Sequence, residues 1–256
     1  MNNIDLLIKY IKKSNNIVFF GGAGVSVESG IPDFRSDNGL YNDKDTVKEY
    51  GHGDNIPVET ILSGSFFRKY PKEFYNFYRN KMIYLDAKPN PCHLGLAKLE
   101  AMGKLKAVIT QNIDGLHTKA GSKTVYELHG SIYRNHCTKC GKSYDIDYIV
   151  NAVDCPYCSE CHGIVKPDVV LYEESLDSET LYKAILAISK ADVLIVGGTS
   201  LSVYPAAGLL QYYKGNKLII INKSITQYDQ VANLVINQNI GDVFREVMEE
   251  IEESGN

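Results

Sequence analysis

An α/β fold built on a parallel sheet is predicted by three features of the chain. Short β-branched runs of strand length recur at Asn16–Phe20, Lys106–Thr110, Asp192–Val196 and Lys217–Ile221. Helical patterns lie between them, among them His93–Met102 and Ser178–Lys190. The first run ends in a glycine turn, Gly21-Gly22-Ala23-Gly24. Uninterrupted apolar runs suit strands buried on both faces, and their alternation with helices suits a sheet wrapped on both sides.

Taken in order, Met1–Lys13 mixes Asp5 and three lysines with short apolar stretches and reads as an amphipathic helix. A secretory signal would need a longer apolar core, so the expected location is the cytoplasm. Residues 37–90 are helical in pattern and rich in rings, with Phe66, Phe67, Tyr70, Phe74, Tyr75, Phe77 and Tyr78 close together, as the core of a small helical module would be. Asp242–Glu253 reads as a closing helix with a solvated acidic face. A chain of 256 residues can bury one large core and carry a smaller insert. Its formal net charge of -4 is spread evenly, which gives no reason to expect nucleic acid as the main partner. No apolar run approaches the ~20 residues that span a bilayer.

Residues 134–168 have little apolar periodicity but hold five of the six cysteines. A disulfide framework would spread its cysteines through a small secreted domain, whereas a local cluster suggests a metal that staples a segment with little core of its own. Cys137-x-x-Cys140 can be completed by Cys158 and Cys161, leaving seventeen residues between the pairs, or by Cys155 and Cys158, leaving fourteen. Zinc-ribbon spacing favours Cys137, Cys140, Cys158 and Cys161, with Cys155 as the competing ligand. His136 or His162 could each replace a cysteine, though four thiolates are simpler. Such a site is closed and therefore structural. Cys92 stands apart as a core residue.

Gly22-Ala23-Gly24 after a strand suggests a dinucleotide phosphate site. The dehydrogenase fingerprint is incomplete, since Val27 stands where its third glycine belongs and no acidic residue follows the second strand. The continuation is more specific. Gly21-Gly-Ala-Gly-Val-Ser-Val-Glu-Ser-Gly-Ile-Pro-Asp-Phe-Arg35 closely resembles the GAGxSxxSGIPDFR signature of the sirtuins, the NAD-dependent protein lysine deacylases. Thr110-Gln-Asn-Ile-Asp-Gly-Leu-His117 and Glu127-Leu-His-Gly130 are similar to that family's TQNIDGLH and ELHG. The cysteine pairs, Lys166-Pro-Asp-Val-Val170, Gly198–Ala206 and Asn222 follow in the family's order.

This resemblance implies a Rossmann-like large domain, residues 1–36, 87–133 and 169–256. The helical module, 37–86, and the zinc-binding module, 134–168, would form a small domain. NAD and an acyl-lysine protein or peptide would enter the cleft between the domains from opposite sides, and one structural zinc would sit in the small domain. By position, Ala23, Phe34, Arg35, Gln111, Asn112, Ile113, Asp114, Thr199, Ser200, Asn222 and Asp242 fall where sirtuins contact NAD. The implied reaction has the acyl oxygen attack C1′ of the nicotinamide ribose and expel nicotinamide, and it releases O-acetyl-ADP-ribose. It needs one general base titrating near neutrality, and His129 in ELHG is the candidate. Asn112 and Asp114 suit the carboxamide and a local water, one offering donor and acceptor, the other accepting. Asp114 before Gly115 also suits a turn, as does Asp33 after Pro32. Arg35 suits the phosphates or the cofactor loop, and Phe34 can shield the reacting carbon from water. Ser26 suits either a phosphate or a helix cap.

Substrate peptide would be bound by strand addition beside Val169 and Val170, with Tyr75 in the acyl pocket. Where the family usually has W/F-F-G-E, this chain has Leu171-Tyr172-Glu173-Glu174, so a charge replaces a glycine. Val27 replaces a threonine of many relatives. Sirtuins acting on acidic acyl groups carry Tyr-x-x-Arg in the helical module, but here Tyr78 occupies the Arg position and Arg79 lies about 100° further round the helix. Acetyl or longer neutral acyl groups are therefore expected. The rival readings are an ADP-ribosyltransferase and an NAD-sensing binding protein, against which the presence of Asn112, Asp114 and His129 together argues.

Overall fold

The computed structural model describes residues 2–36, 39–42 and 56–253, so part of the expected helical module lies outside the described residues. A six-stranded sheet is formed by β1 (Ile17–Gly21), β2 (Leu105–Thr110), β3 (Val125–Glu127), β7 (Val193–Gly197), β8 (Leu218–Ile221) and β9 (Leu234–Ile236). Its order is β3-β2-β1-β7-β8-β9, and every neighbouring pair is parallel. All five residues of β1 are buried. Because side chains alternate along a strand, Ile17 and Phe19 enter the core on one face while Val18 and Phe20 enter the core on the other.

The first face is covered by α1 (Asn3–Lys13), α5 (Pro91–Ala101) and α9 (Ile240–Glu253). Across the sheet lie α8 (Ser178–Lys190) and the 3-10 turns of Ala206–Tyr212. A reciprocal pair of 2.8 Å bonds between Asn2 and Asp5 caps α1, satisfying amides the helix itself cannot. Asn90 caps α5, with Pro91 pre-set for the first turn. The buried Asn90 amide also donates to Val25 O (2.7 Å) and Ser29 Oγ (3.0 Å), so one residue starts the helix and holds the loop after β1.

A second sheet, β4 (Gly130–Cys137), β5 (Ser143–Tyr144) and β6 (Val165–Val169), is antiparallel in the order β5-β4-β6. β4 crosses the expected boundary between residues 133 and 134. β6 lies at the edge, where Pro167 removes no ladder bond that a neighbour needs. Against it pack α2 (Val58–Ile61), α3 (Gly64–Lys69) and α4 (Pro71–Lys81). Phe67, Phe74 and Tyr75 meet edge to face at 5.0 and 5.3 Å, and Phe74 stacks on Tyr78 at 5.5 Å, arrangements that suit the ring quadrupole. These rings share one core with Ile132, Val165, Val169 and Leu171. The two inserted segments thus bury each other's apolar surface.

The turn after β6 joins the sheet to the helices. Tyr172 N donates to Leu62 O and Gly64 N to Tyr172 O, both at 2.9 Å. Glu173, where the sirtuin pattern has glycine, adopts φ +74°. That left-handed backbone costs a side-chain-bearing residue about 1 kcal/mol. Its carboxylate accepts from Ser65 N (2.9 Å) and Ser65 Oγ (2.8 Å) at the start of α3, an N-terminal cap worth a similar amount. The substitution therefore exchanges glycine's freedom for a cap. Glu173→Ala, which keeps the strain and loses the cap, should destabilise by about 1 kcal/mol. Glu173→Gly should recover most of that, and urea denaturation showing alanine as stable as glycine would refute the balance.

His93 and His117 form a buried pair, ring centroids 4.6 Å apart, on α5 and on α6 (Leu116–Lys119). Among the described residues, His93 Nε2 and both nitrogens of His117 have no hydrogen-bond partner. Burial pushes His93 down to about 4, and burial together with His93 pushes His117 well below its ordinary value. Both are neutral when folded, while an unfolded histidine protonates near 6.5. The unfolded state therefore binds more protons below pH 6.5, and stability is lost as pH falls from there toward 4. Thermal melts across that range should show a falling Tm, and His93→Gln should flatten the slope.

Candidate active site and metal centre

Parallel strands end together, and this sheet directs its carboxyl ends toward one edge. Ala23 follows β1, Gln111–Asp114 follow β2, His129 follows β3, Thr199 and Ser200 follow β7, Asn222 follows β8, and Asp242 lies in the first turn of α9. The chain leaves β1 for β2 on one side, whereas β7 adds on the other, so a crevice is expected outside the β1 and β7 ends. Packing there is close. A Cβ on Gly24 would lie 2.9 Å from Gly198 O, and one on Gly198, at φ +58°, would lie 2.4 Å from Val25 N. The Gln111 amide bridges the β1, β2 and β7 ends by donating to Thr199 Oγ1 (3.1 Å) and, at 3.5 Å, to Gly21 O. Bare backbone at a switch point, flanked by polar side chains, fits a dinucleotide.

His129 Nδ1 lies 2.9 Å from Gln111 O. A carbonyl can only accept, so Nδ1 carries the proton and Nε2 keeps its lone pair. Burial lowers the ring's affinity for a second proton, and the Gln111 bond opposes this in part. On the same turn after β2, Asn112 and Asp114 meet Ser26, whose Oγ donates to Asp114 Oδ2 (2.6 Å) and accepts from Asn112 Nδ2 (3.0 Å). Asp114 Oδ1 accepts from Leu116 N at 2.9 Å, the turn reading of its sequence. Burial pushes its carboxyl up, against those two donors. Ser26 makes no side-chain cap to the turn that follows. It instead locks Asn112 and Asp114 in orientation, a role the sequence did not single out because the residues are 86 and 88 positions away.

Phe34 and Arg35 stand on the loop after β1. Tyr41 meets Phe34 edge to face at 5.4 Å, and the Arg35 guanidinium lies 5.1 Å from the same ring. Asp33 Oδ1 accepts from Ser36 N at 3.0 Å, which bears out its turn reading. Ile113 packs against the core of the helical and cysteine segments, and its carbonyl accepts from Ile132 N. Asn222 donates to Ser224 O at 2.8 Å, and Ser200 Oγ meets Ser202 Oγ at 2.7 Å. Asp242 is turned to Arg245 and Asn239, which hold its carboxyl below the usual range. Among the described residues none of these side chains is hydrogen-bonded to the His129 ring.

The Sγ atoms of Cys137, Cys140, Cys158 and Cys161 lie within 4.8 Å of one another. Zn–S bonds of about 2.3 Å in a tetrahedron require this kind of spacing. Lys139 N and Cys140 N point at Cys137 Sγ, and Glu160 N and the Tyr144 hydroxyl at Cys158 Sγ, donors that favour thiolates. The fourth member of the cluster is thus Cys161. Cys155 lies outside the cluster, buried in the core that contains Tyr75. His136 faces Asp168 instead, at 3.4 Å. The four cysteines can hold one zinc, which would join the β4 turn to the turn before β6 without an open coordination position.

Val170 N donates to His129 O at 2.9 Å, placing the end of β6 against the His129 segment. Val169 is buried in the core and can offer a ligand only backbone. Tyr75, expected in the acyl pocket, is fully buried, and its hydroxyl donates to Val165 O. The ring is drawn into the aromatic core because α4 must cover β6, which corrects that expectation. Tyr78 is also fully buried. The Arg79 guanidinium lies 5.7 Å from the Tyr75 ring and donates to Ile149 O, as its position on the helix implied.

Similarity to known proteins agrees with this geometry. The Sir2 family model matches residues 22–205. An NAD-dependent protein deacetylase of Clostridium acetobutylicum is 57% identical over 249 residues, covering 97% of this chain and 99% of the relative. One from Clostridium perfringens is 58% identical over 249 residues, with the same coverage. Among solved structures, Sir2 with a p53 peptide and NAD+ is 38% identical, with a TM-score of 0.84 over 98% of this chain and 99% of that one. A Sir2 variant with a deacetylated p53 peptide and 3′-O-acetyl ADP ribose, also 38% identical, gives a TM-score of 0.87 over 97% and 98%. Motifs, strand order, cysteine cluster and similarity over almost the whole chain converge, and the chain belongs to the Sir2 family.

Proposed function

We propose that this protein is an NAD-dependent protein lysine deacetylase in which His129 is the general base. The observation that carries the assignment of the base is the Nδ1 bond to Gln111 O, which leaves Nε2 unprotonated on a ring anchored to the same turn, Gln111–Asp114, that carries Asn112 and Asp114 in their network with Ser26. When bound, NAD supplies an electrophilic ribose carbon with nicotinamide as leaving group and accepts the acyl group. Within this frame His129 Nε2 takes up a proton from a ribose hydroxyl, and Gln111 O holds the ring while its charge changes. Asn112 and Asp114 hold the carboxamide and a water, already oriented by Ser26. Phe34 shields the reacting carbon, while Gly24, Thr199 and Ser200 offer phosphate contacts. Asn222 and Asp242 serve the far end of the dinucleotide.

The acyl-lysine peptide adds as a strand at the outer edge of β6. That edge pairs with no strand among the described residues, and Val169 has backbone to offer there, whereas Val170 N–H is spent on His129 O. Residues 37–86 and 134–168 act as a small domain closing over the larger one, 1–36, 87–133 and 169–256. Zinc would contribute folding energy to it rather than chemistry. Among the described residues no helix is long and apolar enough to cross a membrane. Cytoplasmic action suits a cluster of reduced thiols that an oxidising compartment would convert to disulfides.

Mass spectrometry of an acetyl-lysine peptide with and without NAD tests the assignment. Acetyl loss only with NAD, together with nicotinamide and O-acetyl-ADP-ribose, is expected. A succinyl-lysine peptide should stay unchanged, since Tyr78 offers no cation to its carboxylate. ADP-ribose attached to a protein in place of acetyl loss would replace the assignment. His129→Ala should lower the rate at least ~100-fold, the usual worth of a general base, with Tm and zinc content intact. In the wild type the rate should hold through the ordinary histidine range and fall only at lower pH, since burial keeps the base neutral through that range. A variant with near-normal turnover removes His129 from the role.

Zinc is tested separately. Cys161→Ser should lose bound metal and unfold the 134–168 segment, whereas Cys155→Ser should keep a full equivalent by elemental analysis. The reverse result would transfer the fourth ligand to Cys155.

A further inference from the structure

Tyr41 and Tyr172 belong to segments that the proposed reaction uses for different ligands, and their hydroxyls meet at 2.5 Å. Tyr41 closes the loop that carries the cofactor-side residues. Its ring holds Phe34 and Arg35, its N–H donates to Phe34 O at 2.9 Å, and Leu40 N donates to Asp33 O at 2.8 Å. Asn42 Nδ2 adds a bond to Ser36 O at 2.7 Å. Residues 33–36 are therefore tied to residues 40–42 as one unit.

Tyr172 sits two residues beyond Val170 on the substrate side. Its backbone is fixed on both sides by Leu62 O and Gly64 N, and its neighbour Glu173 is fixed to Ser65. Glu174 Oε2 in turn accepts from Leu171 N and Lys166 Nζ, both at 3.0 Å. A side chain on so firmly held a segment can position another. The sirtuin pattern usually has phenylalanine at this place, which cannot make the bond.

We propose that the Tyr41–Tyr172 hydroxyl pair is a positioning latch through which the acyl-peptide segment 169–174 holds the cofactor-loop residues 33–36 and 40–42 over the dinucleotide. The latch rests on the deacetylase assignment for the identity of the two ligands. A peptide strand on β6 steadies residues 169–172, and the hydroxyl pair passes that order to Phe34 and Arg35. Coupling of this kind is reciprocal: each ligand tightens the other by the same factor. One hydrogen bond between neutral groups accounts for roughly a fivefold factor.

The test compares wild type with Tyr172→Phe, Tyr41→Phe and the double variant. In the free proteins, amide hydrogen exchange at Leu40 and Tyr41 should be about fivefold faster in either single variant and no faster in the double. ADP-ribose, which does not react, is titrated by calorimetry with and without an acetyl-lysine peptide. The peptide should tighten ADP-ribose in the wild type, and this factor should fall about fivefold in Tyr172→Phe. Tm and zinc content serve as controls, because the change deletes a single hydroxyl on a side chain that is 37% exposed. Unchanged exchange, an unchanged coupling factor, or additive effects in the double variant would each overturn the latch. Failure of the wild type to deacetylate the peptide would count against the enzyme assignment, while the exchange result on free protein still decides the latch.

Discussion

The structure depends on β1 being paired in parallel on both sides. With β2 and β7 as neighbours, its residues are buried on both faces, and Gly21, Thr110 and Gly197 reach the same edge in register. Every group assigned to the dinucleotide comes from a turn at that edge or from the loops it launches. The register also sets the spacing of the turns, since Gly24 and Gly198 meet only because both strands end at one level. Gln111, one residue past β2, then reaches the β7 turn with its side chain and His129 with its carbonyl. A slip of one residue in β2 would separate the two and leave the base without its orienting acceptor.

Much of this was legible from sequence because buried parallel strands are written as unbroken apolar runs. The four runs anticipated β1, β2, β7 and β8 to within about a residue, and α8 was read with its observed bounds. β9 is three residues long, β5 only two, and β4 is largely polar where it passes the cysteines, so no local period marked them. The motif residues were visible, but their mutual contacts were not. Ser26 shows the reason: its hydroxyl looks equally fit for a phosphate or a cap, and the partners it takes, 86 and 88 positions away, belong to neither reading. Tyr75 shows the converse error. Helical position predicted its neighbours on α4, but not that covering β6 would draw it fully into the core.

The helical and cysteine segments are joined by the same logic that placed Tyr75. Neither holds enough apolar surface alone, and each covers the other through the rings of α4 and the inward residues of β4 and β6. The cysteine knuckles lie at the far end of that sheet from His129, because β4 begins at Gly130 and ends at Cys137. Zinc would therefore stiffen the strand at one end while the other presents the reaction site. This separation explains how a closed metal site can matter to activity without touching it: it fixes the β4 and β6 backbones, and Val170 N carries that order to His129 O.

The choice of a carbonyl rather than a carboxylate to orient His129 suits the proposed chemistry. A carboxylate on Nδ1 would raise the pKa and hold the ring protonated near neutrality. Gln111 O fixes the same tautomer with only a partial charge, and burial outweighs its effect, leaving Nε2 free to accept a proton. The carboxylate that lies nearby, Asp114, has its oxygens engaged by the Ser26 hydroxyl and Leu116 N. Those donors stabilise its charge against burial. Base and carboxylate are thus each oriented by hydrogen bonds to groups that take no part in the reaction, which suits a neutral proton acceptor and an anion to an electron-poor ribose.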